Sequence, residues 1–198
     1  DGKKIGRQES LCTPHIYDLN EYIGTGVHEM TICVSNVGYK TKGGHLTSPD
    51  TQTNWNGITG RIELIGYKNA HAENVMLWCD IHNKTVRVTA NITGGKSGKA
   101  VISAESFNSE RSHTPEVQSF EYTNGKLDAL YKMGDDCLLW SEHEPNLYKL
   151  KIDIDGDVSE HIIGMREFRT EGGKFTINGE KTFLRGKHDG MIFPKTAF

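Results

Sequence analysis

The chain is 198 residues long, with 25% charged residues and a formal net charge of −3. Its 23 lysines and arginines are dispersed, so no basic stripe offers the electrostatic footprint of a nucleic-acid partner. No run approaches the ~20 apolar residues of a membrane helix, which excludes a helical membrane span, and no basic-then-apolar leader precedes the first elements.

Taken in chain order, the elements are strands. Asp1-Gly2 is a pair that favours the φ > 0 turn of a hairpin, and an extended run to Ile5 follows it. Residues 29–35, 75–81, 84–93, 99–105 and 147–154 are rich in β-branched residues and alternate or run apolar, which predicts strands. Asn124-Gly125 separates strand-like runs at 118–122 and 127–131, and Asp155-Gly156 separates 148–154 from 161–163. Both pairs tolerate φ > 0 at the two central positions, so both predict tight hairpins. Asn178-Gly179 is a third such turn, feeding a strand over 181–185.

No segment keeps a 3.6-residue apolar period for three turns, and 22 glycines punctuate the chain. The predicted class is therefore all-β. About seven strands fall between Ala72 and Phe168, the number an immunoglobulin-like sandwich requires, without the Cys…Trp…Cys pattern of antibody domains. Residues 1–66 hold too few strands to close a sandwich of their own. The final run, 183–198, reads as the opening strand of a larger element, so the chain is expected to be an internal piece of a longer protein.

Cys12, Cys33, Cys79 and Cys137 show no CxxC spacing. An even count permits disulfides, but small buried hydrophobes are the favoured reading. The nine histidines form no zinc-like cluster, and neither a Gly-x-Ser-x-Gly elbow nor a phosphate-binding glycine loop occurs. No metal or cofactor is expected. The triplets at Asn83 and Asn91 fit N-glycosylation acceptors.

Three landmarks carry a resemblance. They are Asp50-Thr-Gln-Thr-Asn-Trp-Asn-Gly-Ile-Thr-Gly-Arg-Ile-Glu-Leu64, Leu139-Trp-Ser-Glu-His-Glu-Pro-Asn-Leu-Tyr148, and Gly164-Met-Arg-Glu-Phe168 followed by Phe175-Thr-Ile-Asn-Gly-Glu-Lys-Thr-Phe-Leu-Arg-Gly186. In this order they resemble glycoside hydrolase family 2, the β-galactosidase and β-glucuronidase family. The resemblance implies the C-terminal part of a jelly-roll sugar-binding domain at 1–66, an immunoglobulin-like sandwich at 67–170, and the start of a (β/α)8 barrel at 171–198.

It also implies where sugar contacts belong. Trp55 reads either as a core ring closing the first sandwich or as a stacking platform for a sugar, and Asp50, Asn54 and Asn56 are the polar candidates beside it. Arg185, His188 and Asp189 fall where the first barrel strand would end. Met165 is expected to fill a core gap, and Arg166 to pair with a carboxylate at a domain junction. Asn20-Glu21 is read as a turn.

A retaining glycosidase needs two carboxyl groups about 5 to 5.5 Å apart. In the family both are glutamates far along a barrel of ~250 residues, so neither is expected in this chain. The expectation is a non-catalytic portion of an enzyme acting on a carbohydrate substrate, with self-association through exposed strand edges. The alternative is a free-standing carbohydrate-binding or spacer sandwich.

Overall fold

The computed structural model describes residues 1–10, 13–35, 57–58, 60–67 and 69–186. The chain divides into two compact units, with Ile65–Arg185 forming one of them. Among the described residues there is no helix. The candidate residues Asp50, Asn54, Trp55, Asn56, His188 and Asp189, and also Cys12, lie outside the described residues.

Within Asp1–Leu64 the described backbone carries turns rather than ladders. Asn20 and its neighbours do turn: the Asp18 side chain accepts from the Asn20 N–H at 2.9 Å, and Leu19 O accepts from Tyr22 and Ile23. The strand predicted at 29–35 is not observed. Its alternation is real, but Met30, Ile32 and Val34 are 59%, 50% and 52% exposed, with no ladder partner among the described residues. An apolar alternation needs both a neighbouring strand and a covering layer to become a half-buried strand. Cys33 likewise is exposed, contrary to its reading as a buried hydrophobe. Gly2 does take φ 77°, but residues 3–5 pair with no strand among the described residues.

Among its described residues the second unit holds ten strands. They are β1 (His71–Asp80), β2 (Thr85–Thr93), β3 (Ser97–Ser106), β4 (Gln118–Thr123), β5 (Lys126–Lys132), β6 (Tyr148–Ile154), β7 (Asp157–Ile163), β8 (Phe168–Glu171), β9 (Lys174–Ile177) and β10 (Glu180–Lys181). The first seven make one antiparallel sheet in the order β1-β2-β5-β4-β3-β6-β7, and the last three make a small meander, β10-β9-β8.

The large sheet is nearly closed. β4 and β5 pair only at the mouth of their hairpin, Thr123↔Lys126, so β1-β2-β5 forms one leaf and β4-β3-β6-β7 the other. Beyond that pair the Gln118 amide replaces the missing ladder, donating to Lys132 O at 2.8 Å and accepting from Lys132 N–H at 3.1 Å. β1 in turn approaches β6 and β7, bringing the free edges together.

Period-two alternation explains which side chains fill the space between the leaves. Val86, Val88 and Ala90 from β2, Leu127, Ala129 and Tyr131 from β5, Ala100, Ile102 and Ala104 from β3, and Tyr148, Leu150, Ile152 and Ile154 from β6 are all buried. A bulge in β1 between Glu73 and Met76, with Asn74 at φ 51°, resets the register so that Val75, Leu77 and Cys79 face that core.

The three predicted hairpin turns hold: Asn124-Gly125, Asp155-Gly156 and Asn178-Gly179 all place both residues at positive φ. Gly98 turns out to be a strand residue rather than punctuation. It pairs with Tyr122, and a Cβ there would lie 2.7 Å from the Tyr122 hydroxyl, so glycine is what admits the ring. The strand predicted over 181–185 contributes only Lys181 to β10; Phe183 and Leu184 are exposed.

Candidate functional site

Of the predicted sugar-contacting residues only Arg185 is described, and it is exposed beyond β10 with no ion pair among the described residues. The polar chemistry of the second unit gathers instead where the sandwich meets the meander. There the landmarks at 139–148, 164–168 and 175–186 come together.

Trp140 organises this junction. Its N–H donates to Met165 O at 2.9 Å, and Leu139 and Met165 form an isolated parallel bridge. Gly164 lies against the indole closely enough that an added Cβ would sit 3.1 Å from it. The Arg166 guanidinium stands 4.7 Å from the ring centroid. Arg166 was expected to pair with a carboxylate; it makes a cation–π contact instead, and no ion pair among the described residues. The planar, weakly hydrated guanidinium suits a ring face. Met165 is fully buried and fills the core as predicted.

Asn178 ties the meander to this ring. Its Nδ2 donates to Trp140 O at 2.9 Å, its Oδ1 accepts from Glu167 N–H at 2.8 Å, and its own N–H donates to Glu167 O at 2.9 Å. One side chain thus joins the second landmark to both stretches of the third. The pattern Asn-Gly disclosed the turn but not the clamp, because the partners lie 11 and 38 residues away. Glu167 also receives Arg169 at 2.7 Å and His82 at 3.3 Å.

A second buried polar group sits inside the sandwich. The fully buried Tyr148 hydroxyl accepts the Leu138 N–H at 2.8 Å and lies 2.7 Å from His113 Nδ1. Burial pushes the phenol of Tyr148 well above its ordinary value and the His113 imidazole below its own. The hydrogen-bonded pair fixes the loop after β3 to the start of β6, and the Leu138 N–H joins the segment before β6 to the same hydroxyl. Cys79 and Cys137 pack against the same core as free thiols, as expected of small hydrophobes.

The arrangement has few features of a reaction centre. A depression of about 310 Å³ is lined by Gly66, Asn69, Asp155, Gly156 and Asp157, and one of about 170 Å³ lies along Glu105, Lys149 and Lys151. Among the described residues no group of three His, Cys, Asp or Glu is placed to hold a metal.

The second unit is thus an all-β sandwich with a small sheet clamped to one end. Residues 70–166 match the model of glycosyl hydrolases family 2, and the chain carries a domain of that family. The β-galactosidase of Leuconostoc mesenteroides is 23% identical over 100% of this chain and 20% of its own length. That of Thermoanaerobacter pseudethanolicus is 27% identical over 98% of this chain and 28% of its own. Among solved structures, the β-glucuronidase of Faecalibacterium prausnitzii aligns with TM-score 0.46 and 16% identity over 59% of this chain and 18% of that one. The chain spans about a fifth of the length of the first of these relatives.

Proposed function

We propose that this chain is the non-catalytic supporting portion of a retaining glycoside hydrolase of the β-galactosidase kind, acting on terminal β-linked sugars. In this reading residues 1–66 are the C-terminal part of a jelly-roll domain, 67–170 an immunoglobulin-like sandwich, and 171–198 the start of a (β/α)8 barrel. The observation that supports it is the junction: Asn178, in the turn that precedes the segment toward Arg185, is hydrogen-bonded to Trp140 within the family 2 match. Such a clamp serves to hold a following module in a fixed orientation. The sugar itself would meet Asp50, Asn54, Trp55, Asn56, Arg185, His188 and Asp189, with bond cleavage carried out by two carboxyl groups supplied by the rest of the parent.

The test is turnover of nitrophenyl β-galactoside. The 198-residue chain is expected to be inactive while the parent protein is active. Turnover that co-purifies with the chain alone overturns the reading. Self-association belongs to the same proposal, through the uncovered edges of the meander, β8 and β10. Sedimentation that yields a strict monomer at all concentrations speaks against it.

A further inference from the structure

The chain holds three Asn-Gly pairs, at Asn56, Asn124 and Asn178, and the last two lie in described hairpin turns. In such a pair the main-chain nitrogen of the glycine, after losing its proton, attacks the side-chain carbonyl carbon of the asparagine. A new C–N bond closes a succinimide ring, and the amide nitrogen leaves as ammonia. Water then opens the ring at one of its two carbonyls, giving aspartate or isoaspartate, so water is the only co-reactant. Glycine favours the attack because no Cβ hinders the approach.

The fold treats the two described pairs differently. At Asn124 it occupies the nucleophile: the Gly125 N–H donates to Lys96 O at 2.8 Å, and Gly125 O accepts from Ile92 N–H at 2.7 Å. At Asn178 the nucleophile is open. Gly179 is exposed, its N–H makes no hydrogen bond among the described residues, and an added Cβ there would meet nothing within 4 Å. Here the side-chain amide is held instead, by donation to Trp140 O at 2.9 Å and acceptance from Glu167 N–H at 2.8 Å. The nitrogen that must leave is thus the one bound to Trp140, and both bonds must break before the amide is free to turn toward Gly179.

Neither product rebuilds the clamp. Aspartate presents an acceptor to the Trp140 carbonyl where asparagine presents an N–H, and isoaspartate adds a main-chain carbon to a two-residue turn whose strands are in the register Glu180↔Ile177. We propose that Asn178 is a deamidation site guarded by its own clamp: the closed junction prevents the reaction, and once the junction opens, hydrolysis makes the release of the segment after Asn178 permanent.

The proposal is independent of the glycosidase reading, since it is tested on the chain without turnover. The 198-residue chain is aged at mildly alkaline pH, folded and in urea, and conversion at Asn124 and Asn178 is followed separately by peptide mass mapping. Asn178 is expected to convert at least about tenfold more slowly in the folded chain than in urea. Trp140→Leu, which keeps the acceptor carbonyl but removes the ring that packs the junction, is expected to speed folded-state conversion at Asn178 and not at Asn124. If it speeds both alike, the whole fold has loosened, and Arg166→Gln, which leaves the ring in place, decides with an expected rise of about threefold at Asn178 alone. Chain converted at position 178 is expected to keep a lowered urea midpoint after return to the starting buffer. The proposal is overturned if folded Asn178 converts as fast as in urea, or faster, the sign that Glu167 N–H activates the carbonyl rather than restraining it. It is equally overturned if the deciding variant leaves the Asn178 rate unchanged, or if converted chain unfolds at the parent midpoint.

Discussion

Asn178 holds the main-chain carbonyl of Trp140, 38 residues earlier, at 2.9 Å, while its other amide atom accepts from Glu167 at 2.8 Å. Nothing else described joins β9 and β10 to the Trp140 segment through a side chain. Asn178→Ala removes both bonds and puts a Cβ-bearing residue without a local polar side chain at φ 53°. The expected loss is about 1–3 kcal/mol, read as a lower urea midpoint with an unchanged slope. Asn178→Gly, which accepts that φ freely, is expected to recover the backbone part of the loss and not the clamp part. Equal midpoints for the parent chain and Asn178→Ala would show the clamp to be idle.

The sandwich itself was legible because each of its strands carries its signal locally. Residues 86–92 alternate strictly, and Asn124-Gly125 can scarcely be anything other than a turn, so neither depends on distant sequence. Residues 29–34 carry the same alternation but form no ladder among the described residues, and a ladder is something no local pattern can supply. The junction was visible as three separate stretches; what binds them is a side-chain amide whose partners are set by the completed fold. Arg166 illustrates the same limit, since a guanidinium serves a carboxylate or a ring equally well and only the placement of Trp140 decides.

His113 and His161 make the sandwich sensitive to acid. Burial lowers both imidazoles below their ordinary 6.5; for His113, Asp136 opposes that shift and Arg111 adds to it. Between the folded and unfolded values the unfolded chain binds more protons, so stability rises with pH across that window. The contribution is complete above about 6.5 and is lost as pH falls through the lower folded values. Urea midpoints measured from pH 7.5 to 5 are expected to drop, and the slope to flatten in His113→Gln. A flat profile in the parent chain, or an unaltered slope in the variant, contradicts this assignment.

Gly98 offers a test of packing against backbone freedom. Its φ is not in the left-handed region, so alanine fits the backbone, but a Cβ would stand 2.7 Å from the Tyr122 hydroxyl and 2.9 Å from Cζ. Tyr122 is 2% exposed and paired in β4, so its ring has little room to yield. Gly98→Ala is expected to cost about 1–3 kcal/mol. If the clash is the cause, Tyr122→Leu must restore part of the loss in the double variant, giving a coupling well outside simple additivity. Additive losses would place the cost elsewhere.

The thiols should separate by reactivity. Burial, followed by the neighbouring Cys137, pushes Cys79 from 9.0 up to about 11, and burial raises Cys137 as well. Because the thiolate is the reactive species, a rise of that size cuts the reactive fraction of Cys79 near pH 8 by about a hundredfold, before restricted access is counted. Cys33 is exposed. Brief treatment with iodoacetamide at pH 8, followed by peptide mass mapping, is expected to label Cys33 while leaving Cys79 and Cys137 unmodified until urea opens the sandwich. Labelling of Cys79 at the rate of Cys33 in the folded chain would mean that β1 opens readily, and with it the edge that closes the two leaves.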